Sequence, residues 1–261
     1  MDLRMKFGLN LYSLRKQIET PETFLETAKA LKEMGYTTLQ FSGAPFEPET
    51  IKSVSEATEM PIVLTHVPFD RILNDTAALV KEHDVFGCRN IGLGAMKFKF
   101  MTDDQIMEGI GQLEEAGKKL NALGAKFFYH HHAHEFCKME NGKTIFDTIL
   151  ENTEHVNITM DTHWLQVGGV SITEYIAKSA GRLECVHLKD YVPKYDEEGK
   201  FQTVFAPVGE GNINWRDVID AMKKAGVKNY LVEQDNASLL EDPLGQVGSS
   251  IRYLKKYFEA E

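Results

Sequence analysis

Short, dense apolar runs alternate with longer amphipathic stretches along the whole 261-residue chain. The short runs lie at 6–11, 37–41, 62–67, 90–94, 125–132, 157–161, 183–188 and 230–233. Each is too short for a helix and too apolar for a surface loop, so each reads as a strand. The stretches between them carry helix punctuation. Thr20-Pro21 supplies a cap and then a proline at the first helical position, and Gly35 follows the last periodic residue. Thr102 with Gln105 reads as a capping box whose helix runs towards Leu123, with Gly124 just beyond. Trp215 opens a helix that Gly226 closes. Asp242-Pro243 opens a last one, with Ile251, Leu254 and Phe258 at helical spacing.

Eight strand signals, each followed by a helix signal and none separated by a linker, predict a βαβα chain with a parallel sheet. The repeat is roughly 30 residues, the size of one βα unit with its loops. An open doubly wound sheet would call for a Gly-rich phosphate turn after the first strand, where FGLNLYSL runs straight into the first loop. The expectation is therefore α/β, a closed (β/α)8 TIM barrel filling residues 1–261 as a single domain. Such barrels carry their active sites at the C-terminal ends of the strands, so the polar residues there are the ones to read.

The third predicted strand ends Thr65-His66-Val67. The fifth ends His130-His131-His132 and continues through His134 and Glu135. The sixth ends Asp161-Thr162-His163-Trp164, the seventh His187-Leu188-Lys189-Asp190, and the eighth Glu233-Gln234-Asp235. Imidazole and carboxylate converging from separate, rigid strand tips form the donor set of a manganese, zinc, iron or cobalt site. Each residue alone has an ordinary explanation: a hydrogen-bonded structural histidine, an Asp161 that caps the next helix, a Glu233 that pairs with a lysine. Their coincidence at four tips favours the metal. Side chains alternate along a strand, so His130 and His132 share the pocket side and His131 points away, which predicts that His131 is dispensable. Lys189 stands two residues past His187 on the same face, placed either to neutralise a developing enolate or to pair with Asp190. The long segment 191–212, with Pro207, Gly209, Glu210 and Gly211, is expected to be a lid or an oligomer contact.

Charge narrows the partners. Lys+Arg 29 against Asp+Glu 39 gives a net charge of −10, which repels phosphate backbones. A neutral sugar or a metal ion meets no such barrier. MDLRMKFGLNLYSL holds no apolar run long enough for a signal peptide, and no segment approaches a membrane span. Cys88, Cys137 and Cys185 are few and widely spaced, against a disulfide framework. A cytoplasmic protein with no nucleic-acid or membrane partner is the expectation.

In these motifs the chain resembles the xylose-isomerase-like TIM barrel superfamily, in particular the sugar phosphate isomerase/epimerase group with its inosose dehydratase and tagatose epimerase relatives. The resemblance covers nearly the whole chain, and its most specific pieces, between residues 130 and 235, are HHHAHEF, DTHWLQVGG, VHLKDY and APVGEGNINWRDVIDAMKKAGVKNYLVEQD in that order. The resemblance implies one divalent ion, manganese first, with zinc, cobalt, iron or magnesium as alternatives. It would be held by His130, Asp161, His187 and Glu233, with His132 the alternative to His130. The catalytic candidates are Glu233, His132, Glu135, His66 and Lys189, and Trp164, Lys189 and His66 would contact the substrate.

The implied activity is metal-dependent isomerisation or epimerisation of a keto-sugar or keto-polyol through a metal-stabilised enediolate. The partner would be a small-molecule carbohydrate, and a homo-oligomer or a small partner subunit fits the group. One departure matters. The two-carboxylate epimerases carry Glu where this chain carries His130, and an imidazole bound to a metal is a poor base because its lone pair is committed. The departure supports an alternative, a lyase or hydratase: inosose dehydration, or β-elimination from a 3-keto-glycoside as in large subunits of C-glycoside-cleaving enzymes. A non-catalytic sugar-binding barrel is a further alternative. A DNA-repair barrel of the endonuclease IV type is disfavoured by the charge and by His66 standing alone on the early strands.

Overall fold

The structure, a computed structural model, describes residues 5–98 and 101–258. The strands in chain order are β1 (Phe7–Asn10), β2 (Thr38–Phe41), β3 (Ile62–His66), β4 (Asn90–Leu93), β5 (Lys126–His130), β6 (Val156–Asp161), β7 (Cys185–Leu188), β8 (Asp190–Tyr195), β9 (Phe201–Ala206) and β10 (Asn229–Val232). β1 to β7 and β10 form one closed parallel barrel, with β10 lying between β7 and β1. All eight predicted strands form. The fifth stops earlier than its apolar run suggests, because His132 enters a tight 3-10 turn at Ala133–Phe136.

The helix punctuation also holds. Thr20 and Thr23 form a reciprocal capping box at the start of Pro21–Met34, and Gly35 closes that helix at φ 105°, a conformation that favours glycine. Thr102 and Gln105 do the same for Asp103–Ala122. The helices bury one face each against the barrel, as Phe24, Ala28 and Leu31 do. No helix among the described residues is long and apolar enough to cross a membrane.

Inside the barrel, Leu64, Phe128, Cys185 and Leu231 form a separate buried plug contributed by β3, β5, β7 and β10. Side chains on a strand repeat every two residues, so the next residues on the same face are His66, His130, His187 and Glu233. One alternation therefore lays an apolar floor and sets a polar layer directly on it. Gly92 on β4 makes room for that layer: a Cβ there would lie 2.8 Å from His66 Cδ2 and 2.6 Å from the Thr65 carbonyl oxygen.

The segment 191–212 holds secondary structure of its own. Most of it is an ordered antiparallel hairpin, β8 against β9, in register from Asp190 opposite Ala206 to Tyr195 opposite Phe201. A polar turn around Asp196 and Gly199 separates two runs too short and too mixed to stand out as strands. The hairpin is rooted by Asp190, whose Oδ2 accepts the backbone N–H groups of Gly209 (3.0 Å) and Gly211 (3.2 Å) and the indole N–H of Trp215 (2.7 Å). Asp190 is thus occupied, and Lys189 pairs elsewhere.

Candidate metal centre and substrate pocket

His130, Asp161, His187 and Glu233 each turn one donor atom to a common point at the C-terminal mouth of the barrel. Those atoms lie within 4.8 Å of one another, and all four residues are buried. Each is oriented by a second contact. His130 Nδ1–H donates to the Gly94 carbonyl at 2.8 Å, which leaves the Nε2 lone pair 3.3 Å from Asp161 Oδ2. His187 Nε2–H donates to Gln40 Oε1 at 2.7 Å, which leaves Nδ1 2.8 Å from Glu233 Oε2 and 3.7 Å from Asp161 Oδ2. Asp161 serves twice: Oδ1 accepts the Trp164 backbone N–H at 3.0 Å as a helix cap, while Oδ2 faces the centre. Glu233 Oε1 accepts from Asn10 Nδ2 at 2.7 Å, so Oε2 is the inward atom.

These atoms fit a metal. Ligand bonds of about 2.0–2.2 Å place neighbouring donors roughly 3–3.5 Å apart, close to what is observed. Imidazole lone pairs facing carboxylate oxygens repel unless a proton or a cation lies between them. His187 Nδ1 and Glu233 Oε2 face each other at 2.8 Å, both buried. Outer contacts that fix the tautomer, such as Gly94 to His130 and Gln40 to His187, are the usual companions of metal-binding histidines.

A cation already stands beside the cluster. Lys189 Nζ lies 3.0 Å from Asp161 Oδ2, 2.9 Å from Glu233 Oε2 and 3.0 Å from Asp235 Oδ1, with the Trp164 ring 5.2 Å away. Burial would lower its pKa, but the carboxylates of Asp161, Glu233 and Asp235 outweigh it and hold the ammonium charged. Burial likewise opposes ionisation of Asp161 and Glu233, yet Lys189 above all keeps both carboxyls well below the usual range. For His187, burial works against the proton, while Glu233 and then Asp161 raise the imidazole to about 9.

Above the cluster opens a cup of about 320 Å³, lined by Tyr12, Ser42, His66, His132, Lys189 and Asp235 among others. The structure brings His66, His130, His132, Asp161, His187, Lys189 and Glu233 together. His130 rather than His132 joins the four donors; His132 sits at the rim, its ring edge-on to His130 at 4.7 Å. Burial, then the neighbouring His130, lowers the His132 pKa to about 3. Trp164 backs both His132 and Lys189 as a wall.

Glu135 does not reach the cup. Its Oε2 accepts the His132 backbone N–H at 2.9 Å and its Oε1 bonds the Tyr129 hydroxyl, in full burial. Its carboxylate orients His132 from behind. His131 faces away as predicted, against Phe136 and Phe146.

Three site residues escaped the sequence reading: Asn10, Gln40 and Asp235. Asn10 and Gln40 lie on β1 and β2, at strand positions like the others, but amides do not stand out as metal or acid–base groups. Asp235 was visible beside Glu233; nothing in the sequence shows that the chain past β10 turns it into the cup.

This fold and site define the class. The chain belongs to the xylose isomerase-like TIM barrel family, which it matches over residues 28–257. A relative, the inosose dehydratase of Bacillus licheniformis, is 24% identical over 228 residues, 81% of this chain and 74% of that protein. Among solved structures, a sugar phosphate isomerase/epimerase from Parabacteroides distasonis ATCC 8503 matches with a TM-score of 0.82 at 17% identity, covering 98% of this chain and 96% of that one. A xylose isomerase-like TIM barrel protein from Mycobacterium smegmatis, solved in complex with magnesium, matches with a TM-score of 0.70 at 14% identity over 98% and 97%.

Proposed function

We propose that the chain is a divalent-metal-dependent enzyme that removes the proton beside the carbonyl of a keto-sugar or keto-polyol. The carrying observation is the four buried donor atoms, each turned inward by a second contact. A divalent ion bound there, manganese first among the candidates, supplies Lewis acidity that makes such a C–H acidic. The chain's own groups do the rest. Glu233, steadied by Asn10, takes the proton. Lys189, desolvated and charged, stabilises the enediolate oxygen. His132, His66 and Asp235 line the same cup, and Asp235, whose carboxyl is raised by burial and then by Glu233, is the group placed to return a proton to carbon or to a departing hydroxyl.

The structure supports elimination over epimerisation on one point. Epimerisation by two metal-shell carboxylates needs one on each face of the substrate, and β5 offers the imidazole of His130. The kinship with an inosose dehydratase points the same way. Among the described residues that line the cup, Lys189 is the only lysine or arginine, and three carboxylates occupy it, so unphosphorylated substrates suit it best.

The test is proton NMR in deuterated water with manganese present, comparing 2-keto-inositol and a 3-keto-glucoside with fructose, tagatose and psicose. Deuterium uptake beside the carbonyl, followed by elimination from the first two, is the expected result. Efficient ketohexose epimerisation with no turnover of the first two restores the epimerase reading. No exchange into any of them removes the enolisation reading.

A further inference from the structure

Gln40 stands between two histidines. Its buried amide places Oε1 2.7 Å from Nε2 of His187 and Nε2 3.1 Å from Nε2 of His66. The direction of this chain is fixed from the metal end. His187 turns Nδ1 to the donor cluster, so with a cation bound there its one ring proton sits on Nε2 and goes to Gln40 Oε1. The amide then has only an N–H to offer on its other side, and His66 Nε2 accepts it. A neutral imidazole that accepts at one nitrogen carries its proton on the other. Burial, then the neighbouring His130 and His187, keeps the His66 ring neutral, so that proton is on Nδ1.

Two glycines show where Nδ1 faces. A Cβ at Gly92 would lie 2.8 Å from His66 Cδ2, and one at Gly94 would lie 3.1 Å from Nδ1. Gly94, Ala95 and His66 all line the cup, so Nδ1 opens onto it. The Gly94 carbonyl takes its proton from His130, and among the described residues nothing accepts from His66 Nδ1.

We infer that the metal ligand His187, acting through Gln40, locks His66 as an Nδ1–H donor that binds a hydroxyl or carbonyl oxygen of the substrate; the choice of substrate rests on the keto-sugar reading above. His66 holds and does not transfer: giving up Nδ1–H would leave a charged imidazolate in the barrel mouth. A donor kept in one tautomer needs no rearrangement when the substrate arrives. Gln40 is the positioning residue for both histidines.

Long-range proton–nitrogen NMR on the full chain with isotope-labelled histidine tests the lock. Zinc is the loading metal, since manganese would broaden the signals. The His66 signals are those missing in His66→Asn, and a protonated Nδ1 with a bare Nε2 is the expected pattern. Gln40→Glu keeps an acceptor for His187 but puts an oxygen where the N–H was, so His66 Nε2 should become protonated; a mere packing role would leave the pattern unmoved. Calorimetric titration of 2-keto-inositol into the zinc-loaded chain tests the substrate contact. His66→Leu should weaken binding about tenfold, and His66→Asn, whose amide N–H can occupy the Nδ1 position, should recover most of it. A protonated Nε2 in the parent, an unmoved pattern in Gln40→Glu, equal binding by His66→Leu and the parent, or no binding by the parent overturns the inference. The deuterium experiment above is scored separately. The expected nitrogen pattern and affinities without proton exchange keep the lock and remove the enolisation reading, and exchange with a bare Nδ1 does the reverse.

Discussion

The backbone N–H of Asp161 donates to Nε2 of His131 at 3.1 Å, so a histidine outside the pocket fixes one wall of it. The other ring nitrogen, Nδ1, lies 3.2 Å from the His132 carbonyl and donates to it. The ring is neutral: burial, then the adjacent His130, lowers its pKa to about 3. Alternation along β5 alone made His131 dispensable; this contact reverses that expectation. His131→Ala should cost about 1–3 kcal/mol through the orphaned amide and weaken metal binding about 10–100-fold. Denaturant unfolding and metal titration of the stripped protein check both, and wild-type values in each would show that the contact is idle.

Gln40 should behave as a positioning residue for His187. Its Oε1 sets which imidazole nitrogen keeps a free lone pair. Gln40→Leu is expected to lower metal affinity about 10–100-fold, while Gln40→Glu, which keeps an acceptor there, should lose less. Metal titration with a competing chelator separates the two. Equal affinities for both variants and the parent would mean that the tautomer is fixed by something else.

Lys189→Met should make the fold depend on the metal. Without the ammonium, Asp161, Glu233 and Asp235 face one another in a desolvated site. Removing one partner of a buried ionic group costs about 3–5 kcal/mol, so melting in chelator should fall steeply and added manganese should restore part of it. The same melting shift in variant and parent would rule out the role assigned to Lys189.

How much of this was legible follows from what fixes each part. His130, Asp161, His187 and Glu233 could be read because strand alternation places each at a strand tip facing inward, and because few other residue types bind metals. The barrel could be read because its repeat punctuates itself with caps and apolar runs. Glu135 misled because its position in the chain is right and its direction is not; the turn after His132 points its carboxylate back at Tyr129. Asn10 and Gln40 stayed hidden because their task, orienting Glu233 and His187, appears only once the barrel closes and brings those side chains together.

Acid should destabilise the protein before its carboxylates titrate. His83 donates Nδ1–H to the Leu79 carbonyl and accepts from the Thr65 hydroxyl, both at 2.8 Å, and burial lowers its pKa to about 4. Burial brings His163 to about 4 as well. An unfolded imidazole takes its proton near pH 6.5. The unfolded chain therefore gains protons first, and the contribution of these two histidines is full above about pH 6.5 and declines towards pH 4, on the order of 3 kcal/mol for His83. Urea unfolding from pH 6.5 to 4.5 measures the slope, and His83→Gln should flatten it. A flat parent profile would mean that His83 titrates normally.

The hairpin has a root and a tip that answer to different demands. Asp190 locks the root one residue beyond Lys189, while the tip carries Tyr195 and Phe201 in the open, their rings 5.6 Å apart. Lengthening an exposed turn adds little closure entropy, and strain at the tip ends at the root, short of His187 and Lys189. Descendants of this chain can therefore remodel the hairpin tip by insertion or deletion while inheriting the chemistry of the cup unchanged.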